Sequence, residues 1–574
     1  MKKITFLLLA VFAMFATVNA AEPVFNWAHT VDGATTAGDN VVGMAKAADG
    51  SYYVANTFGT TNASLNVNFD GATIQDKDGN AIEGSPYTGT SNNGNLLLQK
   101  VATDGSVKWF AYTRKGDVDQ SNSKMVAAKD GGVIAVLKVR AWVAAAGYDN
   151  LLEVVDAAGN ATTIKDMGTQ ASEYRYLVVK LNAEGGLEWT RLISGLVRTD
   201  TKYATKNNAY IYGVDVDEND NIYLAGNFRT ELYFKKADGA TETLVAKNNI
   251  NWTGDSQSVI GDLFLVKLDK DGYFAEKLLA DGTAKCAFID NVAYNDGKIY
   301  LNGRAQGDDT AMTLGGKALN ASSERQTMFI ASVNTADFTV NYVNALTSVA
   351  NSANRFVLQN KNAQYVDGKV YFTGLLNGGL AKAGSTEPFA TNGATMLKAY
   401  LLQVDPATGE VVNSYVNPNG ISGYFGVYVG ANNIYAFGYH MTAAKGAILT
   451  TINKTSFAAG DEYVMCNSGS VATCTTPIID GSNFIMANRG SRTAKYYGTD
   501  TSFTGMTNWI ATYYSYKIDD ATGVNAVNAD NAAKSYDVYT TSGIFVKNAT
   551  SFEDAKSGLD KGVYVIGGEK VAVQ

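Results

Sequence analysis

Short aromatic and apolar runs alternate with tight polar turns along most of this chain, and the alternation repeats. One kind of run follows an Asp-Gly or Asn-rich pair. It reads Tyr52-Tyr53-Val54, Val133-Ile134-Ala135, Ile222-Tyr223-Leu224, Ile299-Tyr300-Leu301, Val370-Tyr371-Phe372, Ile434-Tyr435-Ala436 and Phe484-Ile485. Such pairs accept positive φ, so each run is expected to follow a hairpin turn. The aligned positions Tyr53, Ile134, Tyr223, Tyr300, Tyr371, Tyr435 and Phe484 are spaced by 81, 89, 77, 71, 64 and 49 residues. The uneven spacing reads as loop insertions on a common unit.

A second kind of run falls between these. It is unbroken, as in Leu96-Leu97-Leu98, Tyr176-Leu177-Val178-Val179 and Leu263-Phe264-Leu265-Val266, with weaker copies at Met328-Phe329-Ile330, Tyr400-Leu401-Leu402 and Ala447-Ile448-Leu449. Unbroken apolar strands suit burial on both faces, between neighbouring sheets. A turn and a further strand follow each, so every unit is predicted to hold two hairpins. Composition agrees. Gly numbers 57 against 6 Pro, with 33 Tyr and 24 Phe, which favours many tight turns and disfavours helical bundles.

Seven units of two hairpins predict an all-β fold, a seven-bladed β-propeller with four-stranded antiparallel blades. The succession of Asp-Gly, Ile/Val-Tyr-Leu/Phe-x-Gly and a Leu-Val-Lys-Leu strand with its own Asp-Gly resembles the β-propeller repeats of secreted bacterial proteins. The resemblance covers most of residues 24–524 and implies a fold without naming an activity. The domains expected are a leader over 1–20, the propeller over 21–524, a linker over 525–533 and a small β module over 534–574. Val24-Phe25-Asn26-Trp27 looks like the last strand of a unit with nothing before it, and Tyr513–Gly523 resembles the inner part of the fifth unit, Tyr400–Gly409. The N-terminal strand is therefore expected to complete the seventh blade and hide two sheet edges. The alternatives are an open ring, or a seventh blade that uses Val524 onward for its own last strand.

From Lys534 the pattern changes to four short strands, Tyr536–Tyr539, Gly543–Val546, Gly562–Ile566 and Lys570–Val573. The stretches Val538–Gly543 and Leu559–Val565 resemble the C-terminal tail of secreted Bacteroidetes proteins, which in full length serves as a type IX secretion sorting signal. That resemblance implies contact with secretion machinery. The other reading is a small capping unit.

Lys2 and Lys3 precede an apolar run, Ile4 to Phe15, and small residues at Val18 and Ala20 suit leader cleavage before Ala21. Export to the cell surface or medium is expected, with the periplasm as the alternative. Without the leader, Lys and Arg fall from 47 to 45 against 55 acids, a formal charge of −10. An acidic exported chain with no basic run is a poor nucleic-acid binder, and no transmembrane segment is expected after the leader.

Three cysteines are present. Cys466 and Cys474 suit a loop-closing disulfide in an oxidising compartment, against two reduced thiols, and Cys286 reads as a small buried residue. The run Asp215-Val216-Asp217-Glu218-Asn219 alternates oxygen donors as a Ca²⁺ loop does, which makes Asp215, Asp217 and Asn219 candidate metal ligands. Yet Asp220 stands where a calcium-loop Gly would, no Glu closes the loop at Gly226, and ordinary hairpins align with it. A plain turn is the other reading, and no other cofactor is expected.

Only two histidines, His29 and His440, exist in the chain. No nucleophile elbow, phosphate loop or paired-Cys motif accompanies them, so catalytic residues are expected to be none. The long insertions Asn62–Asn95, Val139–Tyr174 and Tyr233–Gly261 carry Tyr87, Trp142, Tyr148 and Trp252, which are the candidate ligand contacts. Trp109 and Trp189 lie on repeat strands and read as core. The expected function is non-enzymatic binding of a protein or glycan at the cell surface or in the envelope. The alternatives are a carboxylate-based glycan hydrolase or lyase, and a structural envelope protein.

Overall fold

The computed structural model describes residues 22–32, 40–58, 68–70, 72–75, 78–82, 93–141, 151–165, 174–195, 209–247, 261–282, 286–307, 312–320, 326–351, 356–393, 396–419, 422–440, 446–467, 471–518, 536–541, 544–549, 552–566 and 569–573. The expected leader and linker lie outside them. The chain divides into two compact bodies, one of residues 22–429 with 434–518 and a second that holds 519–574.

Among the described residues the strands of the large body pair antiparallel in five sheets, and in chain order they fall into successive units. Unit 1 is Asn40–Lys46, Tyr52–Phe58, Asn93–Val101 and Val107–Arg114; unit 2 is Gly116–Ala127, Val133–Ala141, Arg175–Leu181 and Leu187–Gly195. Unit 3 is Ala209–Val216, Ile222–Phe228, Asp262–Leu268 and Phe274–Asp281; unit 4 is Cys286–Asn295, Lys298–Gln306, Thr327–Asn334 and Val340–Ala345. Unit 5 is Val357–Val366, Lys369–Ala381, Lys398–Val404 and Val411–Val416; unit 6 is Ser422–Val429, Asn433–His440, Ala447–Asn453 and Ala459–Asn467. Unit 7 opens on an interrupted strand, Val471–Cys474 and Ile478–Asp480, continues with Asn483–Tyr496 and Ser502–Lys517, and closes on Val24–Asp32. That last pairing runs from Val24↔Lys517 to Val31↔Ala511, so the two ends of the array share one sheet.

Hydrogen bonds link each unit to the next. The Tyr53 hydroxyl of unit 1 donates to Gly131 O (2.5 Å) of unit 2, and Ile211 N–H of unit 3 donates to the Tyr176 hydroxyl (3.0 Å) of unit 2. Tyr294 N–H donates to Asp215 (2.6 Å), Asn360 Nδ2 to Asp290 (2.8 Å), and Val427 N–H to Gln364 Oε1 (2.7 Å). The Cys474 thiol meets Gly438 O at 3.7 Å, and the Tyr52 hydroxyl donates to Asp480 (3.0 Å), which returns the circuit to unit 1. The arrangement is a β-propeller. The repeat positions Tyr53, Ile134, Tyr223, Tyr300, Tyr371, Tyr435 and Phe484 are all buried. They lie on the second strand of each unit, which has sheet on either side and so takes the apolar side chains.

The insertions are partly ordered. Hairpin Asn68–Phe69/Ala72–Thr73 pairs with Val24–Asp32, and hairpin Leu152–Val155/Ala161–Ile164 pairs with Val107–Arg114. Glu231–Lys235/Thr241–Val245 pairs with Leu187–Gly195, and Thr313–Leu314/Lys317–Ala318 with Phe274–Asp281. In each case the insertion between the second and third strands of one unit extends the outer edge of the preceding unit. Parts of the insertions expected to be binding loops thus cover sheet edges.

The small body is a four-stranded sheet in the order Phe545–Ala549, Tyr536–Thr540, Gly562–Ile566, Glu569–Val573. A short helix, Phe552–Lys556, joins Val538, Ala549, Ala555 and Ile566 in its core. Among the described residues no helix is long and apolar enough to cross a membrane.

Candidate functional site

A strand exposes alternate side chains on one face. On Val107–Arg114 the alternate residues Lys108, Phe110, Tyr112 and Arg114 share the face toward hairpin 68–73. That hairpin hangs on the closing strand of unit 7, whereas Val107–Arg114 is the outer strand of unit 1. Between them lies a groove of about 780 Å³, inside the range of roughly 300–1,000 Å³ usual for ligand clefts. Half-buried Phe69, Trp109 and Phe110 and buried Tyr112 line it with aromatic rings, and Gln75, Asp78, Asp156 and the buried Gln99 line it with polar groups.

The polar groups are held in place. Arg114 Nε donates to Glu153 Oε2 (2.6 Å) and Lys115 Nζ to Glu153 Oε1 (2.7 Å). Burial pushes the Glu153 carboxyl up, but Lys115 and Arg114 outweigh it and hold the group below the ordinary carboxylate range. Asp156 accepts from Ala158 N–H (3.0 Å), Asn160 N–H (2.8 Å) and Asn160 Nδ2 (3.1 Å), which fixes a turn at the groove wall. The Tyr513 hydroxyl donates to Gln99 Oε1 (3.1 Å), which orients the amide. Lys108 is 44% exposed and lies 3.4 Å from Asp49. Rigid ring faces ringed by oriented hydrogen-bonding groups are what a sugar needs: apolar C–H faces to stack and hydroxyls to pair.

Of the residues singled out from sequence, Tyr87, Trp142, Tyr148 and Trp252 lie outside the described residues. The candidate calcium ligands do not converge. Asp217 accepts from Asn219 N–H and Asn221 N–H (both 2.9 Å), from Asn221 Nδ2 (2.8 Å) and from the Tyr223 hydroxyl (2.9 Å). Asp215 instead reaches the Tyr294 and Val216 N–H groups, and Asn219 is exposed. Burial raises the Asp215 carboxyl to about 6 against the opposing pull of those two donors. Asp220, with φ +62°, accepts from Lys129 N–H at 2.5 Å. The segment is a turn whose carboxylates are spent on neighbouring backbone and side-chain donors. Among the described residues no three His, Cys, Asp or Glu groups gather as a metal site would require.

The expected disulfide is likewise replaced by two free buried thiols, Cys466 and Cys474. The Cys474 sulfur is aimed at Gly438 O and Cys466 interacts with Asn488, so the two thiols have separate partners. Burial pushes Cys466 up to about 12 and Cys474 well above its ordinary value. The side chain of Cys286 lies outside the described residues. Both histidines serve the fold. His29 sits between Asp70 Oδ2 and Gly105 O, each at 2.7 Å, and buried His440 meets Glu462 at 2.9 Å.

Trp109 and Trp189 are half-buried, and their role differs from simple core. The Trp109 indole donates to Ala183 O at 3.0 Å and covers the Gly185 turn of the next unit. Sequence reasoning missed the groove because four separate segments build it. The one local signal was the alternation of charged and aromatic residues in Lys108–Arg114.

No family model matches the chain, and no curated protein matches it. Similar solved structures include a quinohemoprotein alcohol dehydrogenase from Comamonas testosteroni, 11% identical, covering 90% of this chain and 79% of that one at a TM-score of 0.38. The Dos1 propeller is 8% identical, covering 86% and 95% at 0.38. A subtype N11 neuraminidase-like protein of A/flat-faced bat/Peru/033/2010 (H18N11) is 13% identical, covering 60% and 85% at 0.28. All three scores are below 0.5, and the fold rests on the strand pairings above.

Proposed function

We propose that this chain is an exported, seven-bladed β-propeller that binds a glycan outside the inner membrane and leaves it chemically unchanged. The observation that carries this is the groove at the seam of units 7 and 1, lined by the half-buried rings of Phe69 and Phe110 between oriented polar groups. The leader-like segment Lys2–Ala20 supports export, and the resemblance of Val538–Gly543 and Leu559–Val565 to a sorting tail supports delivery through secretion machinery. The non-catalytic part is supported by Asp156, whose oxygens hold a turn, and by two histidines engaged in structural pairs.

The test is a glycan microarray with the full chain, followed by titration of the strongest binder into wild type, Phe110→Ala and Arg114→Gln. Binding that weakens tenfold or more in both variants, each still folded by circular dichroism, is expected. Unaltered affinity in both contradicts the groove. Turnover of the bound sugar that Asp78→Asn abolishes would instead establish the hydrolase or lyase reading.

A further inference from the structure

The first strand of most units carries a one-residue register shift at the same level. It falls between Val41 and Gly43, Ile211 and Gly213, Ile289 and Asn291, Asn360 and Asn362, and Tyr424 and Gly426. The extra residues are Val42, Tyr212, Asp290, Lys361 and Phe425. In unit 2 the shift spans Asp119 to Lys124 and sets Lys124 opposite Val136. Gly43, Gly213, Asn291 and Asn362 take the matching places in their units, opposite Ala55, Ala225, Asn302 and Thr373. Bulges re-aim side chains, and these lie at one level of the first strands.

Charge on this level is unbalanced. Arg304 chelates Asp290, with Nε to Oδ2 at 2.8 Å and Nη2 to Oδ1 at 2.7 Å, and Asn360 Nδ2 adds a third donor at 2.8 Å. Asp290 is thereby saturated. Lys124 and Lys361 are half-buried, yet among the described residues neither has a carboxylate partner. Lys361 Nζ lies 5.6 Å from the centroid of the Phe425 ring. Comparably sheltered lysines of the same body are paired: Lys138 with Asp119 at 2.8 Å, Lys100 with Asp49 at 3.1 Å, Lys180 with Glu188 at 3.4 Å. Burial drives the Lys361 ammonium down to about 8, and Lys124 and Arg304 push the same way against Asp290. Burial also lowers Lys124. Two unpaired, sheltered ammonium groups in an otherwise acidic protein are costly unless something negative joins them.

We propose that Lys124 and Lys361 form an oxyanion-binding site on the inner wall of the ring, which takes the carboxylate or sulfate group of an acidic ligand. The site is built from units 2 and 5, apart from the groove at units 7 and 1, and holds whether or not that groove binds a sugar. An oxyanion between the lysines converts a like-charge repulsion into two charge-assisted hydrogen bonds.

The test measures the melting midpoint of the full chain with sodium sulfate and, separately, sodium glucuronate, each against sodium chloride at equal ionic strength. Calorimetric titration with the same two salts gives the affinity. At least one of the two is expected to bind and to raise the midpoint, and which one does so separates a sulfate-ester ligand from a uronic acid. Lys361→Gln and Lys124→Gln each weaken that binding tenfold or more, the double variant loses it, and Lys361→Arg retains it. Without added oxyanion, Lys361→Gln melts above wild type, because the repulsion is gone. The proposal is overturned if neither salt exceeds chloride on wild type, or if the double variant responds as wild type does.

Discussion

In four of the units one aromatic residue does much of the joining. Trp27, Trp109, Trp189 and Tyr342 sit on the outer strands of units 7, 1, 2 and 4. Each covers a turn glycine of the following unit, at Gly105, Gly185, Gly272 and Gly409 respectively. Trp27 also donates to Thr103 O at 3.0 Å, as Trp109 does to Ala183 O. The contact needs a glycine on both counts of space and backbone. A Cβ on Gly185, at φ +83°, would stand 2.6 Å from Ala157 Cβ and 2.8 Å from the Trp109 ring, whereas Gly50, at φ +82°, has nothing within 4 Å. Gly50→Ala should therefore cost only the left-handed backbone penalty, roughly 1–2 kcal/mol. Gly185→Ala should add overpacking of about 1–3 kcal/mol, which urea unfolding of the two variants measures. Equal losses would mean that the ring does not rest on the turn. The strand positions of Trp109 and Trp189 were readable from the repeat. Their partners were not, because a turn one unit later becomes a neighbour only once the ring forms. The acids at 215–220 misled for a related reason: alternating carboxylates look alike whether they face a cation or, as here, the groups of their own turn and of the units on either side.

At the scale of elements, each of four insertions lends a hairpin to the unit before it, as Leu152–Val155/Ala161–Ile164 does for Val107–Arg114. An outer strand left bare would present unpaired N–H and C=O groups to other chains. Val154 is paired on both sides, with Thr113 and Thr162. Proline there removes a donor and breaks the ladder. Val154→Pro should lower the melting midpoint by several degrees and weaken glycan retention, since Val155 and Asp156 line the groove. Thr162→Val, on the outermost strand, should stay within about 0.5 kcal/mol of wild type. A silent Val154→Pro would show that the hairpin carries no load. The insertions were visible in the sequence as breaks in spacing, and their length suggested ligand loops. Their strands are too short, at two to five residues, to stand out from a single sequence.

The whole large body depends on Val24–Asp32 joining Ser502–Lys517, which closes the array and also carries the hairpin that walls the groove. This closure was legible, because Val24–Trp27 repeats the pattern of Val107–Trp109 and lacks a partner of its own. The groove was not, because its walls come from residues 69–78, 99, 107–114 and 155–159, and only closure brings them together. Ligand binding depends on that seam. Hydrogen–deuterium exchange of the full chain, with and without the strongest glycan from the array, locates the contact directly. Protection concentrated in peptides covering residues 68–75 and 107–114 is the predicted result. Binding that leaves those peptides unchanged while protecting others would contradict it.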